Sequence, residues 1–377
     1  MRIAVVHGYY SSRVPSGENI VVDLQVNAMR RAGHDVRVIS RRQESVEKSF
    51  VYPVLAAAHA ATNRGPRPNR EIDTFDPDIV HVHNLFPNFG RTWTSKYSSR
   101  LVATVHNYRP ICAAATLLRE AKSCTLCPDH RSALPAMKYG CFKGRVATLP
   151  VAIGTRFNRD PLLLAAQKIV CINDEMLARY AAVGVPAEKL VIVPNFVRAA
   201  AVPGSHRGDG LGDFWLFVGR TTEEKGILPL VRRWPEGPRL KVVGSGPLDN
   251  ELREAASPNV ELLGQRTQDE VRALMDAARG LLFPSIWPEG LPTVYLEALA
   301  AGLPVIASSH SIVARLVSRD GTGIVGSDSV ADDLAKVRAS FAEISTQCRS
   351  TYDALYTESA WSDAMQSVYD EVVKSHR

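Results

Sequence analysis

Two cations stand five residues apart in "VGRTTEEKG", where Arg220 and Lys225 follow an apolar run and precede Gly226. Arginine offers a planar fork of donors and lysine a compact point charge, a combination that suits a diphosphate. The competing reading is a surface cluster neutralised by Glu223 and Glu224, which would be worth little energy. Further on, "FPSIWPEGLPTVYLEALAAGLPVIA" sets Glu289 at the head of a predicted helix, with Glu297 inside it. A carboxylate at a helix head is favoured by the helix dipole itself. Glu297 is different: it lies among Leu296, Leu299 and alanines, where a charge needs a polar partner. Pro292 suits the first helical position, since its missing donor would be an orphan there. The amides around Pro292, from Gly290 and Leu291 to Thr293, then stand at the positive end of the helix, open to an anion. Amides for phosphate and carboxylates for hydroxyls together describe a nucleotide-linked sugar.

Other motifs are less specific. "VVGSGPLDN" carries Gly244 and Gly246 but lacks the third glycine of a dinucleotide fingerprint, so it reads as a tight turn. Cys112, Cys124, Cys127 and Cys141 follow the spacing C-x11-C-x2-C-x13-C. They either close a tetrahedral structural zinc site or remain four thiols in an irregular loop. No open coordination position or His–Glu arrangement suggests metal catalysis. Cys171, in a predicted strand, and Cys348, in a predicted helix, read as core residues.

The elements that must position these groups alternate. "IAVVHG", "DVRVIS", "DIVHVHN", "LVATVHN", "KIVCIN" and "KLVIVPN" read as strands, with helical patterns such as 17–32 and "DEMLARYAAVG" between them. After the Gly- and Pro-rich stretch 197–213, which reads as a linker, a second series follows: "FWLFVGR", "RLKVVG", "VELLG", "GLLFPS", "LPVIAS" and "GTGIVG". Strands alternating with helices imply parallel sheets covered on both faces. The expected fold is α/β: two doubly wound, Rossmann-like domains facing across a cleft, with domains at 1–196 and 214–358. Ligands in such sheets sit outside the carboxyl ends of the strands.

Bulk properties agree. A chain of 377 residues exceeds the size at which single cores usually stop growing. There is no run of about 18 apolar residues to span a membrane. The apolar start "IAVV" is too short for a secretory signal, and six cysteines in this length suggest a reducing compartment. Cytoplasm is the expected address. The net charge of +6 is unevenly spread, since residues 1–195 hold 26 Lys/Arg against 15 Asp/Glu, and the remainder 19 against 24. Within 91–156 the balance is 11 basic to 2 acidic. Such a segment is either a solvated face or an attractor of anions, such as lipid head groups or a diphosphate-carrying acceptor. No aromatic-interleaved basic motif accompanies it, so nucleic acid is not expected as a partner.

Taken in order, "FVGRTTEEKG", "VVGSGPL", "FPSIWPEG" and "YLEALAAGLPVIAS" resemble the donor half of retaining glycosyltransferases of family 4 (GT4), which have the GT-B fold. The first half matches through "VPSGENIVVDL", "TVHNYRPIC" and "PNF", and the last through "ESAWSDAMQSVYDEVV". The resemblance implies that Glu289 holds hydroxyls of the transferred sugar and Glu297 the ribose. It assigns Arg220 and Lys225 to the departing diphosphate, and places Gly17, Gly219 and Gly244 near the donor. It puts His106 beside the donor sugar and sends a closing helix, about 359–377, back to the first domain. It also implies front-face attack with no nucleophile and no cofactor or divalent metal. The donor would be UDP-, GDP- or dTDP-linked and the acceptor lipid-linked or anionic, with peripheral contact to the inner membrane face. Two departures stand out: Gly290-Leu291-Pro292 replaces the family's frequent Gly-Phe-Gly, and Ala113-Ala114 follows Cys112 where a related branch has Asn-Gly.

Cell-surface polysaccharide or glycolipid assembly is the expected setting. The alternatives are glycosylation of a small natural product, a sugar-nucleotide epimerase or phosphorylase of the same architecture, and a non-enzymatic carbohydrate or head-group binder.

Overall fold

The computed structural model describes residues 1–10, 16–42, 52–120, 122–198, 213–287 and 290–376. Most of the expected linker and both Pro288 and Glu289 lie outside the described residues. The chain divides into two compact units. One comprises Met1–Arg119, Cys124–Asn195 and Ser359–Arg377, the other Glu120–Ser123 and Phe196–Glu358.

The first unit is built on strands β1 (Arg2–Tyr9), β2 (Asp35–Arg42), β3 (Ile79–Val82), β4 (Leu101–Val105), β5 (Lys168–Cys171) and β6 (Leu190–Ile192). They pair in the order β2-β1-β3-β4-β5-β6, each contact parallel. β3 and β4 are buried along their whole length, as expected for strands covered on both faces. Helix α1 (Gly17–Arg31) starts where the Ser16 side chain accepts from the Asn19 amide, and it ends with Arg30 and Arg31 on the negative pole. The C-terminal helix α7 (Glu358–His376) delivers Tyr369 into this unit, where its hydroxyl lies 2.7 Å from His81 Nδ1.

The second unit carries β7 (Phe214–Val218), β8 (Arg239–Val243), β9 (Val260–Gly264), β10 (Leu281–Phe283), β11 (Val305–Ala307) and β12 (Gly323–Val325), ordered β9-β8-β7-β10-β11-β12. Its core packs Trp215, Phe217, Ile227, Leu240, Leu282 and Ile306. Helix α5 (Gln268–Ala277) begins in a capping box, with Thr267 and Glu270 bonding each other's backbone amides. Helix α6 (Thr293–Ala300) starts one residue later than the sequence suggests. Pro292 is its N-cap, because its ψ of 127° is extended although its φ of −66° would also fit the first turn.

Strand order reverses between β1 and β3 in the first sheet and between β7 and β10 in the second. At such switch points flanking loops diverge and open a crevice at the carboxyl ends of the strands. These two places therefore organise the candidate sites.

Candidate functional site

At the switch point of the second sheet, the loop after β7 holds Gly219, Arg220 and Lys225. Hydrogen bonds reaching far along the chain fix that loop. Gly219 N donates to Val243 O at 3.0 Å, Thr221 N to Ser245 O at 3.3 Å, and Leu248 N to Thr221 O at 3.1 Å. The Thr221 hydroxyl bonds Asp249, which also accepts from Gly246 N at 2.9 Å. A Cβ on Gly244 would lie 1.8 Å from Gly219 O, and one on Gly246 would lie 2.6 Å from Thr221 O. The two glycines of "VVGSG" thus let the β7 and β8 loops touch backbone to backbone, a structural task that needs no phosphate.

The far end of the same loop is tied to the chain leaving β10. Gly226, at φ +66°, turns against Pro284, whose carbonyl a Cβ would approach to 2.1 Å. Ile286 N and the Ser285 hydroxyl both donate to Glu224 O, at 3.0 and 3.2 Å. Lys225 Nζ stands 5.7 Å from the centroid of the Trp287 ring. Arg220 is half-exposed and pairs with Glu224 at 3.2 Å, so the ion pair considered from the sequence is present. This pair leaves much of the guanidinium in solvent. The cations therefore stand beside the chain that runs into α6, whose N-cap Pro292 makes no side-chain capping hydrogen bond. Leu291 and Pro292 are buried, while Gly290 and Thr293 keep partial exposure.

Glu297 is largely buried, and burial raises its carboxyl pKa. The Arg272 charge and a hydrogen bond from Gln268, both on α5, pull the other way. Part of the polar partnership demanded by the sequence thus comes from α5, 25 and more residues away. Glu289, its companion in the motif, is outside the described residues.

In the first unit, three neighbouring strands carry the same local sequence near their carboxyl ends. They are Val6-His7-Gly8, Val82-His83-Asn84 and Val105-His106-Asn107. Register pairs Val6 with Val82 and Val82 with Ala103, so the three histidines converge. His83 Nδ1 lies 3.0 Å from His106 Nε2, and their rings stack with centroids 5.3 Å apart. His81, two residues before His83, is held between Tyr369 and Thr104, each at 2.7 Å. His7 Nδ1 accepts from Asn84 N at 3.4 Å, which leaves Nε2–H to face Asn19 Oδ1 at 3.2 Å. Burial dominates all four shifts: His7 falls to about 4, His81 and His106 to about 3, and His83 well below its ordinary value. The cluster is neutral at pH 7.

A recess enclosing about 430 Å³, part of it open to solvent, is lined by His83, His106, Glu18, Asn84, Asn107 and Arg109 among others. His83 is 4% exposed, and its buried Nε2 has no hydrogen-bond partner. Glu18 Oε1 is equally unmet, while Oε2 accepts from Asn107 Nδ2 at 3.2 Å. Burial raises the Glu18 carboxyl to about 7, against weaker downward pulls from Asn107, Asn84 and Arg109. A hydroxyl group satisfies either tautomer of His83, because it can donate or accept. Gly17 differs: it is exposed and a Cβ there meets nothing within 4 Å, so packing does not require a glycine.

Sequence reasoning singled out His106 but missed His7, His81, His83 and Glu18. The signal was available in the threefold Val-His repeat.

Cys112, Cys124, Cys127 and Cys141 line a second recess, and all are free thiols. Burial pushes the Cys127 thiol up to about 11. Among the described residues no three His, Cys, Asp or Glu side chains are arranged to hold a metal ion. Cys171 and Cys348 are buried, the latter with Sγ 3.3 Å from Thr322 O. Among the described residues no helix is long and apolar enough to cross a membrane.

Comparison with known proteins places these features in a family. Residues 15–200 match the family described as Glycosyltransferase Family 4, and residues 213–340 match Glycosyl transferases group 1. WcaL of Escherichia coli K12, a glycosyltransferase named for colanic acid biosynthesis, is 27% identical over 260 residues. That match spans 58% of this chain and 60% of WcaL. Among solved structures, Anabaena HepE in complex with UDP and glucose superimposes with a TM-score of 0.63 at 14% identity, covering 98% of this chain and all of HepE. Sucrose-phosphate synthase from Thermosynechococcus elongatus gives 0.66 at 17% identity, covering 99% of each chain. The two doubly wound parallel sheets and the two consecutive family matches lead to one assignment: the chain belongs to the GT4-type glycosyltransferases of the GT-B fold.

Proposed function

We propose that this protein transfers a sugar from a nucleotide-linked donor to a hydroxyl acceptor, with retention of configuration, in the assembly of a cell-surface polysaccharide or glycolipid. One observation carries the reading. The loop holding Arg220 and Lys225 is hydrogen-bonded to the chain entering α6, at the switch point of the second sheet. Cations tied to the chain that enters a helix start would form a receptor for a diphosphate. The names of WcaL and of the HepE complex support the donor class and the setting.

In this mechanism, charge develops on the phosphate oxygen as the bond to the sugar breaks. Arg220, Lys225 and the α6 amides stabilise it as donors aimed at the developing charge. Glu297 takes ribose hydroxyls and Glu289 hydroxyls of the transferred sugar. The leaving phosphate oxygen accepts the proton of the attacking hydroxyl, so catalysis needs no metal. His83, His106 and Glu18, which line the recess of the first unit, receive sugar hydroxyls. Zinc at Cys112, Cys124, Cys127 and Cys141 would serve only to cross-link their loop. Metal analysis after purification without chelator separates the two readings of the cluster: about one zinc per chain makes it a cross-link, and a metal-free protein leaves four thiols.

The test is a panel of UDP-, GDP- and dTDP-sugars. One donor should raise the melting temperature and release its nucleoside diphosphate slowly when acceptor is absent. Absence of binding by every donor would overturn the proposal. So would quantitative conversion of a donor to its epimer.

A further inference from the structure

The chemistry set out above leaves one aromatic ring beside the cations without a task. Lys225 Nζ lies 5.7 Å from the centroid of the Trp287 ring, inside the range of about 6 Å over which a ring face attracts an ammonium. Both residues are partly exposed. Several other lysine–ring contacts follow from chain adjacency: Lys96 with Tyr97, Lys143 with Phe142, and Lys138 with Tyr139 at the end of α2 (Leu134–Tyr139). Lys225 and Trp287 instead come from separate loops, one after β7 and one after β10.

The fold arranges their meeting. Lys225 ends a single 3₁₀ turn, Glu223–Lys225, which exits through Gly226 into α3 (Ile227–Arg232). Near the start of the same loop, the Thr221 hydroxyl bonds Asp249, the first residue of α4 (Asp249–Ala255). Glu224 O, one residue before Lys225, accepts from Ile286 N at 3.0 Å, one residue before Trp287. The Ser285 hydroxyl donates to the same oxygen at 3.2 Å. These bonds bring the two side chains together, yet residue 287 makes none of them. They would form with any residue there, so they do not account for a tryptophan.

The ring itself supplies the account. Lysine carries its charge on a flexible four-carbon stem, and a charge that sweeps through solvent is poorly placed for catalysis. A carboxylate could restrain it but would cancel part of the field that a diphosphate needs. A ring face restrains an ammonium and leaves its full charge for an anion on the other side.

We propose that Trp287 is a positioning residue for the transfer: its ring holds the Lys225 ammonium in place for the leaving diphosphate. The inference rests on the assignment of Lys225 to that diphosphate, and the effect of Trp287 passes through Lys225.

A double-mutant cycle tests it, reading kcat and KM of the full chain with the donor found by the panel. Trp287→Leu should lower kcat about tenfold, the scale of a partly desolvated cation–ring contact, with KM changed less than about twofold. Trp287→Phe should recover much of that loss, because it restores a ring face. In a Lys225→Ala background, Trp287→Leu should cost less than about twofold, since the cation it serves is gone. Melting temperatures check folding, and Trp287→Met repeats the comparison if the leucine variant melts lower. Equal costs of Trp287→Leu in both backgrounds would overturn the proposal, by making the ring a direct substrate contact or a packing residue. So would a phenylalanine variant no better than leucine. Both results leave the assignment of Lys225 standing. Near-normal turnover of Lys225→Ala would overturn that assignment, and this inference with it.

Discussion

Arg220→Ala and Lys225→Ala should each lower turnover about 10²-fold or more, the usual cost of losing a donor aimed at developing charge. The fold should survive. Arg220 is half-exposed, and its pair with Glu224 is of a kind worth about 0–1 kcal/mol. Lys225 is held by the backbone of its loop and by the neighbourhood of Trp287. A loss confined to KM would mean that the cations bind the donor without assisting bond cleavage. Arg220→Lys should recover only part of the rate, since a point charge cannot reproduce the two-pronged geometry. Steady-state kinetics with the donor found by the panel decides this, and near-normal turnover in both alanine variants would contradict the assignment.

The second large effect is on stability. Acidification from pH 7 to 5 should destabilise the first unit steeply. His7, His81, His83 and His106 have folded pKa values depressed below the ordinary 6.5. Below 6.5 the unfolded chain binds protons that the folded chain refuses, so stability is fully present above that value and is lost as pH falls. Glu18 acts in the opposite direction. Its folded pKa of about 7 exceeds the ordinary 4.5, so its contribution is present below 4.5 and lost as pH rises through 7. Among these five groups, four histidines against one carboxyl leave about three protons of net uptake near pH 5.5, or up to about 4 kcal/mol per pH unit. Given total stabilities of roughly 5–15 kcal/mol, that slope approaches unfolding by pH 5. Urea midpoints across pH 5–8 measure it. Glu18→Gln should steepen the acid loss by removing one opposing group, while Asp160, whose carboxyl burial also raises, remains. A flat midpoint from pH 7 to 5 would show that the histidines are not held neutral.

Much of this architecture can be read directly from the residues. Each strand of the two sheets is an apolar run bounded by a turn signal, and local patterns of that kind do not depend on distant contacts. The caps at Ser16 and Thr267 are equally local. Pro292 shows the limit: its fixed φ suits both the N-cap and the first helical residue, and only ψ separates them. The shared loop of Arg220 and Lys225 was legible because both stand in one short motif directly after a strand. The site was illegible where the partner is remote. Gly244 and Gly246 signal a turn, but the backbone they accommodate belongs to Gly219 and Thr221. Glu297 demands a polar partner without revealing Gln268 and Arg272. The histidine cluster lies between these cases. The Val-His repeat is local, but its convergence requires the order β1-β3-β4, which no single segment encodes.

The most direct measurement is a crystal structure with the nucleoside diphosphate of the identified donor bound. The account predicts its terminal phosphate within hydrogen-bonding distance of Arg220, Lys225 and the first amides of α6, and its ribose on Glu297. A diphosphate seated elsewhere, with those four groups still in solvent or paired among themselves, would contradict it.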